Sequence, residues 1–445
     1  MWVGGFQINP TMSARIVITT FGSYGDVNPY LGLALELGRR GHEPVIATSE
    51  FFRSTVEGAG VAFHPVRPHL DPTDREVVAR IMDPVHGSEY IVRDLLMARV
   101  RDSHADLRGA TRGADLLVSH PLTFAAPLLA EERRLPWIST VLAPMSFFSV
   151  HDVPVFPAAP ALHASARLGA AAGHQLVRFA KLAARGWSRP VRELREDLGL
   201  SDPGDPVFEG QHSPDLVLAL FSRVLAEPQP DWPPQTRITG HVFDDGTGAA
   251  ARLPEGLDEF LDAGPPPVVF TLGTSAVGAP GRFYEESVEV VHRLGVRAVL
   301  LVGDPSNRPA APLPAAMGMW DRAPYSALFP RAAAVVHQGG IGTTAQALRA
   351  GRPMLVVPFA HDQPDNAARV ERLGVARVLY PKHYTAERAA AALRTLLDDP
   401  AAGRAAEAVA ARVRAEDGVS AAGDAIDAYL AARVRPGGAR RSAAV

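Results

Sequence analysis

The chain has 445 residues, of which 47% are hydrophobic and 21% charged, and its formal net charge is −3. This is the balance of a soluble globular protein of about two domains, and it gives no general attraction to nucleic acid or to an anionic membrane. Because the chain contains no cysteine, disulfides, thiolate metal sites and a cysteine nucleophile are excluded.

The N-terminus does not resemble a targeting segment. Residues 1–12 lack the basic start and the long apolar run of a signal peptide. No uninterrupted apolar stretch of about 18 residues follows, so no transmembrane helix is predicted. We therefore expect a cytoplasmic protein with an N-terminal extension over 1–12, in which Met12 is a second candidate start.

The first half of the chain alternates short strands with helices. Residues 15–21 form a β-branched run that stops at Gly22, which is typical of a buried parallel strand. A helix is predicted next, with Pro29 in its first turn and Gly41 at its end. Three further strand patterns lie at 44–48, 115–120 and 137–143. The alternation predicts an α/β doubly wound parallel sheet, one Rossmann-like domain over 13–226.

The second half repeats this pattern after a break. A Pro-rich passage over 227–250 is predicted to be an interdomain linker. Strand patterns follow at 266–273, 297–303, 333–340 and 353–359, with a helix at 284–294. They predict a second Rossmann-like domain over 251–434 and a disordered tail over 435–445. Two such domains would face each other across a cleft lined by the carboxyl ends of both sheets, where open α/β sheets bind ligands.

An Ala-rich stretch over 157–186 has two interpretations. Its apolar residues are Leu162, Leu168, Leu176, Val177, Phe179 and Leu182. They are expected either to pack as helices of the first domain, or to form the wall of an acceptor pocket or a membrane-contacting surface.

The most informative segment runs from residue 337 to residue 366. A strand ends at His337, and a loop with Gly339, Gly340 and Gly342 opens directly into a helix that carries Thr343. Glycines let the backbone approach a ligand closely, and the first N–H groups of the helix and its dipole favour an anion. The pattern predicts a diphosphate site, although a turn of this kind also occurs where packing alone is tight.

This segment resembles the nucleotide-sugar signature of the family 1 glycosyltransferases, whose fold is GT-B, a pair of facing Rossmann-like domains. The start of the chain, GSYGDVNPYLGLALELGRRGHEP, is similar to bacterial and sterol-type members, and DWPPQTRITGHVFDDG, FTLGTS and FAHDQPDN are similar to the rhamnosyltransferases of bacterial rhamnolipid synthesis. The resemblance implies an inverting, metal-independent transfer of a hexose or deoxyhexose from a nucleotide diphosphate to a hydroxyl of a small apolar acceptor. No cofactor, nucleic acid or other partner is implied.

The resemblance also implies which residues bind the donor. His337 is expected to contact the diphosphate, with Gly342 and Thr343 as further donors and Thr274 opposite them. Asp362 and Gln363 match the pair that family members direct at the sugar hydroxyls. Two positions depart from the pattern. Arg322, followed by Ala323, stands at the tryptophan of the Trp-Ala-Pro-Gln motif on which plant members stack the base. Gln346 stands where many members have a ribose-binding glutamate. The nucleotide, UDP or dTDP, is therefore left open.

A general base is expected near the acceptor oxygen, and Asp26 follows the first strand at its cleft end. Many family members have a histidine there, oriented by an aspartate after a later strand; here the later residue is His120, so the pair looks exchanged. Either His120 is the base held by Asp26, or Asp26 acts directly. The structural alternatives are that Asp26 only caps the helix and that His120 is only buried.

Three aromatic residues, Phe147, Phe148 and Phe156, are candidate acceptor contacts. No Asp-x-Asp motif is present and the histidines are not spaced as paired ligands, so no metal site is expected. Two other functions on the same architecture are a nucleotide-sugar 2-epimerase and a non-catalytic activator of another transferase. The epimerising carboxylates are not evident, and Asp26 together with the donor motif argues against an activator.

Overall fold

The computed structural model describes residues 13–71, 74–163, 169–201, 204–243, 252–310 and 312–433. The predicted extension over 1–12, the predicted tail over 435–445 and residues 244–250 of the predicted linker lie outside these ranges. Within them the chain forms two parallel sheets, one for each predicted domain.

The first sheet has seven strands in the order β3-β2-β1-β4-β5-β6-β7. They are β1 Arg15–Thr19, β2 Glu43–Thr48, β3 Ala62–Pro65, β4 Leu116–Ser119, β5 Trp137–Val141, β6 Val217–Ala219 and β7 Thr236–Ile238. Neighbouring strands are parallel throughout. The strand order reverses between β1 and β4, which is the switch point where such sheets bind ligands.

The second sheet has six parallel strands in the order β10-β9-β8-β11-β12-β13. They are β8 Val268–Thr271, β9 Ala298–Leu301, β10 Met317–Trp320, β11 Ala334–His337, β12 Met354–Val356 and β13 Ala376–Val378. Here the order reverses between β8 and β11. The predicted doubly wound architecture is confirmed in both halves.

Helices cover both sheets. Those of the first half are α1 Tyr24–Arg39, α2 Arg53–Gly58, α3 Arg75–Ile81, α4 Gly87–Glu89, α5 Val100–Ala110, α6 Ala125–Arg133, α7 Ala170–Ala184 and α8 Arg189–Asp197. Those of the second half are α9 Leu257–Asp262, α10 Phe283–Leu294, α11 Tyr325–Leu328, α12 Ile341–Ala350, α13 Gln363–Arg372, α14 Ala386–Asp398, α15 Pro400–Arg414 and α16 Gly418–Arg433.

Each sheet is buried on both faces, which explains the uninterrupted apolar runs of the strands. In β1, Ile16 and Ile18 belong to one apolar cluster and Val17, on the opposite face, belongs to another. In β8, Phe270 and Val269 divide between two clusters in the same way. Since successive side chains of a strand point to opposite faces, a strand covered on both sides does not alternate between apolar and polar positions.

The first helix begins earlier than the sequence predicted. α1 starts at Tyr24, so Pro29 lies inside the helix rather than in its first turn. Ser23 occupies the N-cap, and its side chain accepts a hydrogen bond from the Gly25 N–H. A serine cap with an acidic residue three positions later forms a capping box, and this local pattern outweighed the preference of proline for the helix start.

The predicted linker contains part of the first sheet. β7 lies within 227–250 and pairs with β6, so the first sheet extends into the Pro-rich passage. A strand of three residues that closely follows two prolines has too few positions for a periodic signal, which is why the sequence did not reveal it.

Two segments cross between the halves. Helix α16, predicted in the second domain, places Ala422, Ala425 and Ile426 in an apolar cluster of the first. In the other direction, Val78 and Met82, from the region of α3, lie in a core cluster of the second domain. The two domains therefore share parts of their cores.

Candidate functional site

The two candidates for the base lie side by side at the switch point of the first sheet. Asp26 is in the first turn of α1, which follows β1, and His120 follows β4, the neighbour of β1. The His120 N–H donates to the carbonyl of Thr19, the last residue of β1 (3.0 Å). The structure brings the two side chains close together: Nε2 of His120 lies 3.8 Å from Oδ1 of Asp26, a contact too long for a hydrogen bond.

One carboxylate oxygen of Asp26 is used structurally and the other is not. Oδ2 accepts hydrogen bonds from the Ser23 N–H (2.8 Å) and hydroxyl (3.2 Å), so Asp26 is the third residue of a capping box rather than the cap itself. Within the described residues, Oδ1 accepts no hydrogen bond. Burial raises the pKa of Asp26 to about 6, although the Ser23 hydrogen bonds lower it. A carboxylate with this pKa is a stronger base than an exposed aspartate and is still ionised at neutral pH.

His120 faces Asp26 with a proton-bearing nitrogen. Its Nδ1 accepts the Leu122 N–H (3.1 Å), so the neutral ring carries its proton on Nε2, the atom nearest Asp26. Burial lowers the pKa of His120 to about 3, which keeps the ring neutral. In this tautomer His120 has no nitrogen on the cleft side that could accept a proton.

The Gly-rich turn of the second domain forms an open helix N-terminus. β11 ends at His337, and α12 begins after Gly340, which caps it without a side-chain hydrogen bond. The first N–H groups of α12 are therefore not satisfied by a side chain. A Cβ at Gly342 would meet no atom within 4 Å, and a Cβ at Gly340 would lie 2.8 Å from the Gln338 amide. The turn therefore packs closely against Gln338 at Gly340 and borders open space at Gly342.

His337 lies directly behind this turn and is fully buried. Its Nδ1 accepts the Gly339 N–H (3.0 Å), which places the ring proton on Nε2. That atom is buried and has no hydrogen-bond partner in the described part of the chain. Burial lowers the pKa of His337 to about 3, so the residue is a neutral donor. An unsatisfied buried N–H beside a helix N-terminus suits an anion.

A cavity of about 500 Å³ lies between the two domains in front of α12. Six of the eleven predicted donor residues line it: Thr274, Arg322, Ala323, Gly342, Thr343 and Gln346. The structure therefore brings together residues from two loops, after β8 and after β10, and from helix α12 of the second domain. A cavity of this size accommodates a nucleotide.

The remaining predicted donor residues, His337, Gly339, Gly340, Asp362 and Gln363, are not part of the cavity wall. Gln363 is buried, and its amide oxygen accepts the N–H groups of Phe359 (2.9 Å) and Ala360 (3.2 Å), so it holds the loop before α13. Only its amide nitrogen, 3.5 Å from the Ser275 hydroxyl, is available for a further ligand.

Asp362 precedes α13 but does not cap it with its side chain. Its Oδ2 accepts the Asn366 amide (2.7 Å). The pKa of Asp362 is raised to about 7 by burial, with a smaller contribution from the charge of Asp26. That influence arises across the cleft, because Asp26 belongs to the first domain.

Several cavity residues were not predicted. Tyr24, Asn28, Phe51 and Arg75 enter from the first domain, and Tyr325 from the second. The Arg75 guanidinium contacts Ser306 and Asn307, which follow β9. No local signal marked Arg75; only the docking of α3 on the second domain brings it to the cavity.

The three candidate acceptor residues separate into two environments. Phe147 is buried and stacks on Trp232, with ring centroids 4.0 Å apart, so it belongs to a small core cluster. Phe148 and Phe156 are half-buried, stack on each other at 6.5 Å, and Phe148 contacts Phe208. The latter group offers an apolar surface, whereas Phe147 supports it from inside.

The described residues contain neither a cluster of metal ligands nor a membrane-spanning helix. In those ranges no group of three or more His, Asp or Glu side chains could hold a metal ion. The helices described there include none that is both long and apolar enough to cross a membrane.

Comparison with known families gives matches in both halves. Residues 287–421 match the C-terminal domain of the erythromycin biosynthesis protein CIII-like family. Residues 16–95 match the N-terminal domain of glycosyltransferase family 28.

Two characterised relatives cover most of the chain. The O-mycaminosyltylonolide 6-deoxyallosyltransferase of Streptomyces fradiae is 34% identical over 425 residues, which is 91% of this chain and 95% of that protein. The sterol 3-beta-glucosyltransferase of Aspergillus fumigatus is 30% identical over 437 residues, 94% of this chain. The match spans only 30% of that longer protein.

Solved structures have the same fold. The glycosyltransferase of kitacinnamycin superposes with a TM-score of 0.70 at 23% identity, covering 94% of this chain and 100% of that one. The spinosyn rhamnosyltransferase SpnG complexed with thymidine diphosphate gives 0.65 at 19% identity, covering 93% and 100%. The paired sheets and the cleft between them define the GT-B fold. With the relatives above, they place the chain in the family 1 glycosyltransferases.

Proposed function

We propose that the protein transfers a hexose or deoxyhexose from a dTDP- or UDP-sugar to a hydroxyl of a small apolar acceptor, with inversion and without a metal ion. The observation that carries the proposal is the position of Asp26. Its Oδ1 accepts no hydrogen bond in the described chain, and its pKa is raised to about 6 by burial. The preceding residue, Gly25, lines the cavity to which Gly342 and Thr343 at the N-terminus of α12 also contribute.

In this mechanism Asp26 takes the proton of the acceptor hydroxyl while the acceptor oxygen attacks the anomeric carbon. The bond between that carbon and the diphosphate oxygen breaks in the same step, so the configuration inverts. The N–H groups of Gly342 and Thr343 and the Nε2–H of His337 meet the charge of the leaving diphosphate. His120 is a positioning residue, because its Nε2–H faces the Asp26 carboxylate.

Two features support a thymidine or uridine nucleotide. SpnG was solved with thymidine diphosphate, and the Streptomyces fradiae relative transfers a 6-deoxyallosyl group. At the position of the stacking tryptophan, Arg322 has its guanidinium carbon 5.9 Å from the centre of the Tyr24 ring. A planar guanidinium can stack on a base, and Gln346 can hydrogen-bond a ribose hydroxyl.

The acceptor class follows from the relatives and from the aromatic surface. A deoxyallosyltransferase that acts on a macrolide and sterol glucosyltransferases are both similar to this chain, and Phe148 and Phe156 give the first domain an apolar surface. We therefore expect a polyketide- or sterol-like hydroxyl compound.

The test is a calorimetric titration with dTDP and UDP in the presence of a chelator, followed by transfer assays with the better donor and a set of macrolide and sterol acceptors. We expect micromolar binding without metal, a product detected by mass spectrometry, and inverted anomeric configuration by NMR. Activity that is lost with chelator and returns with magnesium would overturn the metal-free mechanism. Donor binding and an intact Asp26, with no transfer to any acceptor, would favour a non-catalytic activator.

A further inference from the structure

Helix α7 carries an exposed apolar face. Phe179 and Leu182 are 67% and 66% exposed, more than any other large hydrophobic side chain in the described ranges. Their spacing of three places them on the same side of the helix. Water-exposed side chains of this size in adjacent positions are unusual in a soluble protein and mark an interaction surface.

The opposite side of α7 is firmly seated. Val177 and Ala184 are buried, and a Cβ at Gly173 would lie 2.3 Å from the Val150 carbonyl and 2.8 Å from the Val153 side chain. Glycine at that position allows the helix to lie directly on the loop around residue 150. The exposed face is therefore the outer side of a docked helix.

The charged Lys and Arg side chains of the segment that carries this helix face no acidic residue within that segment. The segment 153–192 contains six Lys or Arg residues and no Asp or Glu, in a chain whose net charge is −3. Three of these cations are paired with acids outside the segment, namely Lys181 with Glu209, Arg189 with Glu193 and Arg192 with Asp205.

Two cations flank the apolar pair. Arg178 and Arg185 are exposed, and no acidic side chain of the described residues pairs with either. Arg178 precedes Phe179, and Arg185 follows Leu182 by three positions. An apolar pair with arginines on both sides is the arrangement found where an amphipathic helix lies on a lipid surface.

We propose that this α7 face, made of Arg178, Phe179, Leu182 and Arg185, binds an anionic lipid surface. The two apolar side chains enter the boundary between headgroups and acyl chains, and the two guanidinium groups contact lipid phosphates. The binding does not depend on the transfer reaction.

The charge and the size of the face favour lipid over protein. A second copy of the chain would bring Arg178 and Arg185 against the same residues, and like charges repel. A stable protein interface buries about 800 Å² on each partner, more than two side chains supply. An anionic bilayer has the complementary charge and needs only a shallow apolar contact.

Binding at α7 would also place the candidate acceptor surface near the lipid, a consequence that does rest on the proposed function. The loop under Gly173 leads to Phe156 through Val155, which is buried. An apolar acceptor concentrates in a bilayer, so a transferase held there by α7 would meet it at high local concentration.

The experiment is flotation of the full chain with vesicles of phosphatidylcholine alone and of phosphatidylcholine with phosphatidylglycerol. We expect binding to the anionic vesicles that weakens as salt is raised. Replacing both apolar residues (F179S with L182S) should weaken it by at least roughly a hundredfold, since burying each large apolar side chain contributes at least about tenfold.

Matched variants separate charge from folding. R178Q with R185Q should lose about fivefold per arginine on anionic vesicles, whereas R178K with R185K should retain binding. V85S removes an exposed hydrophobic residue from another surface (54% exposed) and should bind as the wild type does.

Three results would overturn the proposal. If the wild-type protein binds neither kind of vesicle, the α7 face does not bind lipid, and a protein partner becomes the alternative. An equal loss in V85S would show that the effect is not local to α7. A dimer in analytical ultracentrifugation that the F179S and L182S pair abolishes, without vesicle binding, would identify a second copy as the occupant. None of these readouts uses transferase activity, so failure here and failure of the proposed function are distinguishable.

Discussion

Asp26 combines two functions through its two carboxylate oxygens. Oδ2 completes the capping box of α1 with Ser23, while Oδ1 faces His120 without a hydrogen bond. The same capping bond thus fixes the direction of the side chain. Gly22 makes room for it, because a Cβ there would lie 2.2 Å from Oδ2. If Asp26 is the base, as proposed above, its place in the capping box holds it without a dedicated positioning loop.

Replacing Asp26 with Asn tests the base. The amide oxygen of Asn can still accept the Ser23 N–H, so the helix start should remain. Because a positioned base contributes about 10²- to 10⁴-fold, we expect turnover to fall by that factor while dTDP binding, measured by calorimetry, changes little. A variant with full turnover, when chemistry is rate-limiting, would leave the base unidentified.

His120→Ala should then have a smaller effect than Asp26→Asn if His120 only positions the carboxylate. We expect the double variant to be hardly worse than Asp26→Asn alone, because the two act as a unit. A shift in the acidic limb of the pH profile of kcat/KM in His120→Ala would distinguish positioning from simple packing. His120→Ala as inactive as Asp26→Asn, with an unchanged pH profile, would contradict this role.

The raised pKa values of Asp26 and Asp362, about 6 and about 7, predict opposite pH trends for activity and stability. Activity requires ionised Asp26, so kcat/KM should rise with pH through this range. Each of the two pKa values is higher in the folded state than in the unfolded state. The contribution of these groups to the stability of the folded state is therefore fully present below about pH 4 and is lost as the pH rises through 6 to 7. Asp26→Asn should therefore melt higher than wild type at pH 8 and similarly at pH 4, by calorimetry. A lower melting temperature at pH 8 would contradict burial as the cause.

At the scale of elements, the donor site depends on how one helix starts. α12 follows β11 after a turn whose glycines have different tasks: Gly339 adopts a positive φ of 86°, which glycine tolerates best, and Gly342 borders open space. The strand brings the turn to the cleft, and the helix supplies N–H groups and a dipole. Neither element would bind an anion without the other.

Gly342→Asp tests this arrangement. Its side chain would extend into open space, and a carboxylate near a helix N-terminus stabilises the helix. The same charge opposes a diphosphate, so dTDP affinity should fall by at least about tenfold while the melting temperature is maintained or raised. Gly342→Ala is the control and should affect affinity far less. Equal affinity of Gly342→Asp and wild type would place the diphosphate elsewhere.

The whole molecule is held by contacts that cross the cleft. Arg369 of α13 is 2% exposed, pairs with Asp365 at 2.7 Å and contacts Asp152 of the first domain. Asp365 also accepts the Val155 N–H (3.1 Å). Near the chain ends, Arg40 of the first domain contacts Asp424 and Asp427 of α16. Buried and charged contacts thus fix the two domains at separate points.

Arg369→Leu should destabilise the protein by about 3–5 kcal/mol, because it leaves the buried carboxylate of Asp365 without its partner and removes the buried cation from Asp152. Arg372 contacts the same Asp152 at 3.5 Å but is 54% exposed, so Arg372→Leu is a matched control with an expected effect below about 1 kcal/mol. Urea denaturation measures both. Adding Asp365→Asn to Arg369→Leu should restore part of the loss, and similar effects of the two single leucine variants would show that burial does not decide the strength.

Much of this protein follows from local patterns in its sequence. Continuous apolar runs such as Ile16–Ile18 indicate strands covered on both faces. The turn from His337 to Thr343 predicts an anion site, because glycine spacing and a following helix are local properties. The two sheets, the position of the cleft and the pairing of Asp26 with His120 therefore followed from periodicity, strand order and family resemblance.

Only the tertiary structure decided which residues meet from distant parts of the chain. Arg75 reaches the cavity because α3 docks on the second domain, α16 returns to the first because its apolar residues complete that core, and β7 forms because β6 offers an edge. The burial that raises the pKa of Asp26 and holds His120 neutral is likewise a property of the packed surroundings. Such contacts depend on how whole surfaces fit together, and that information is not contained in any short stretch of sequence.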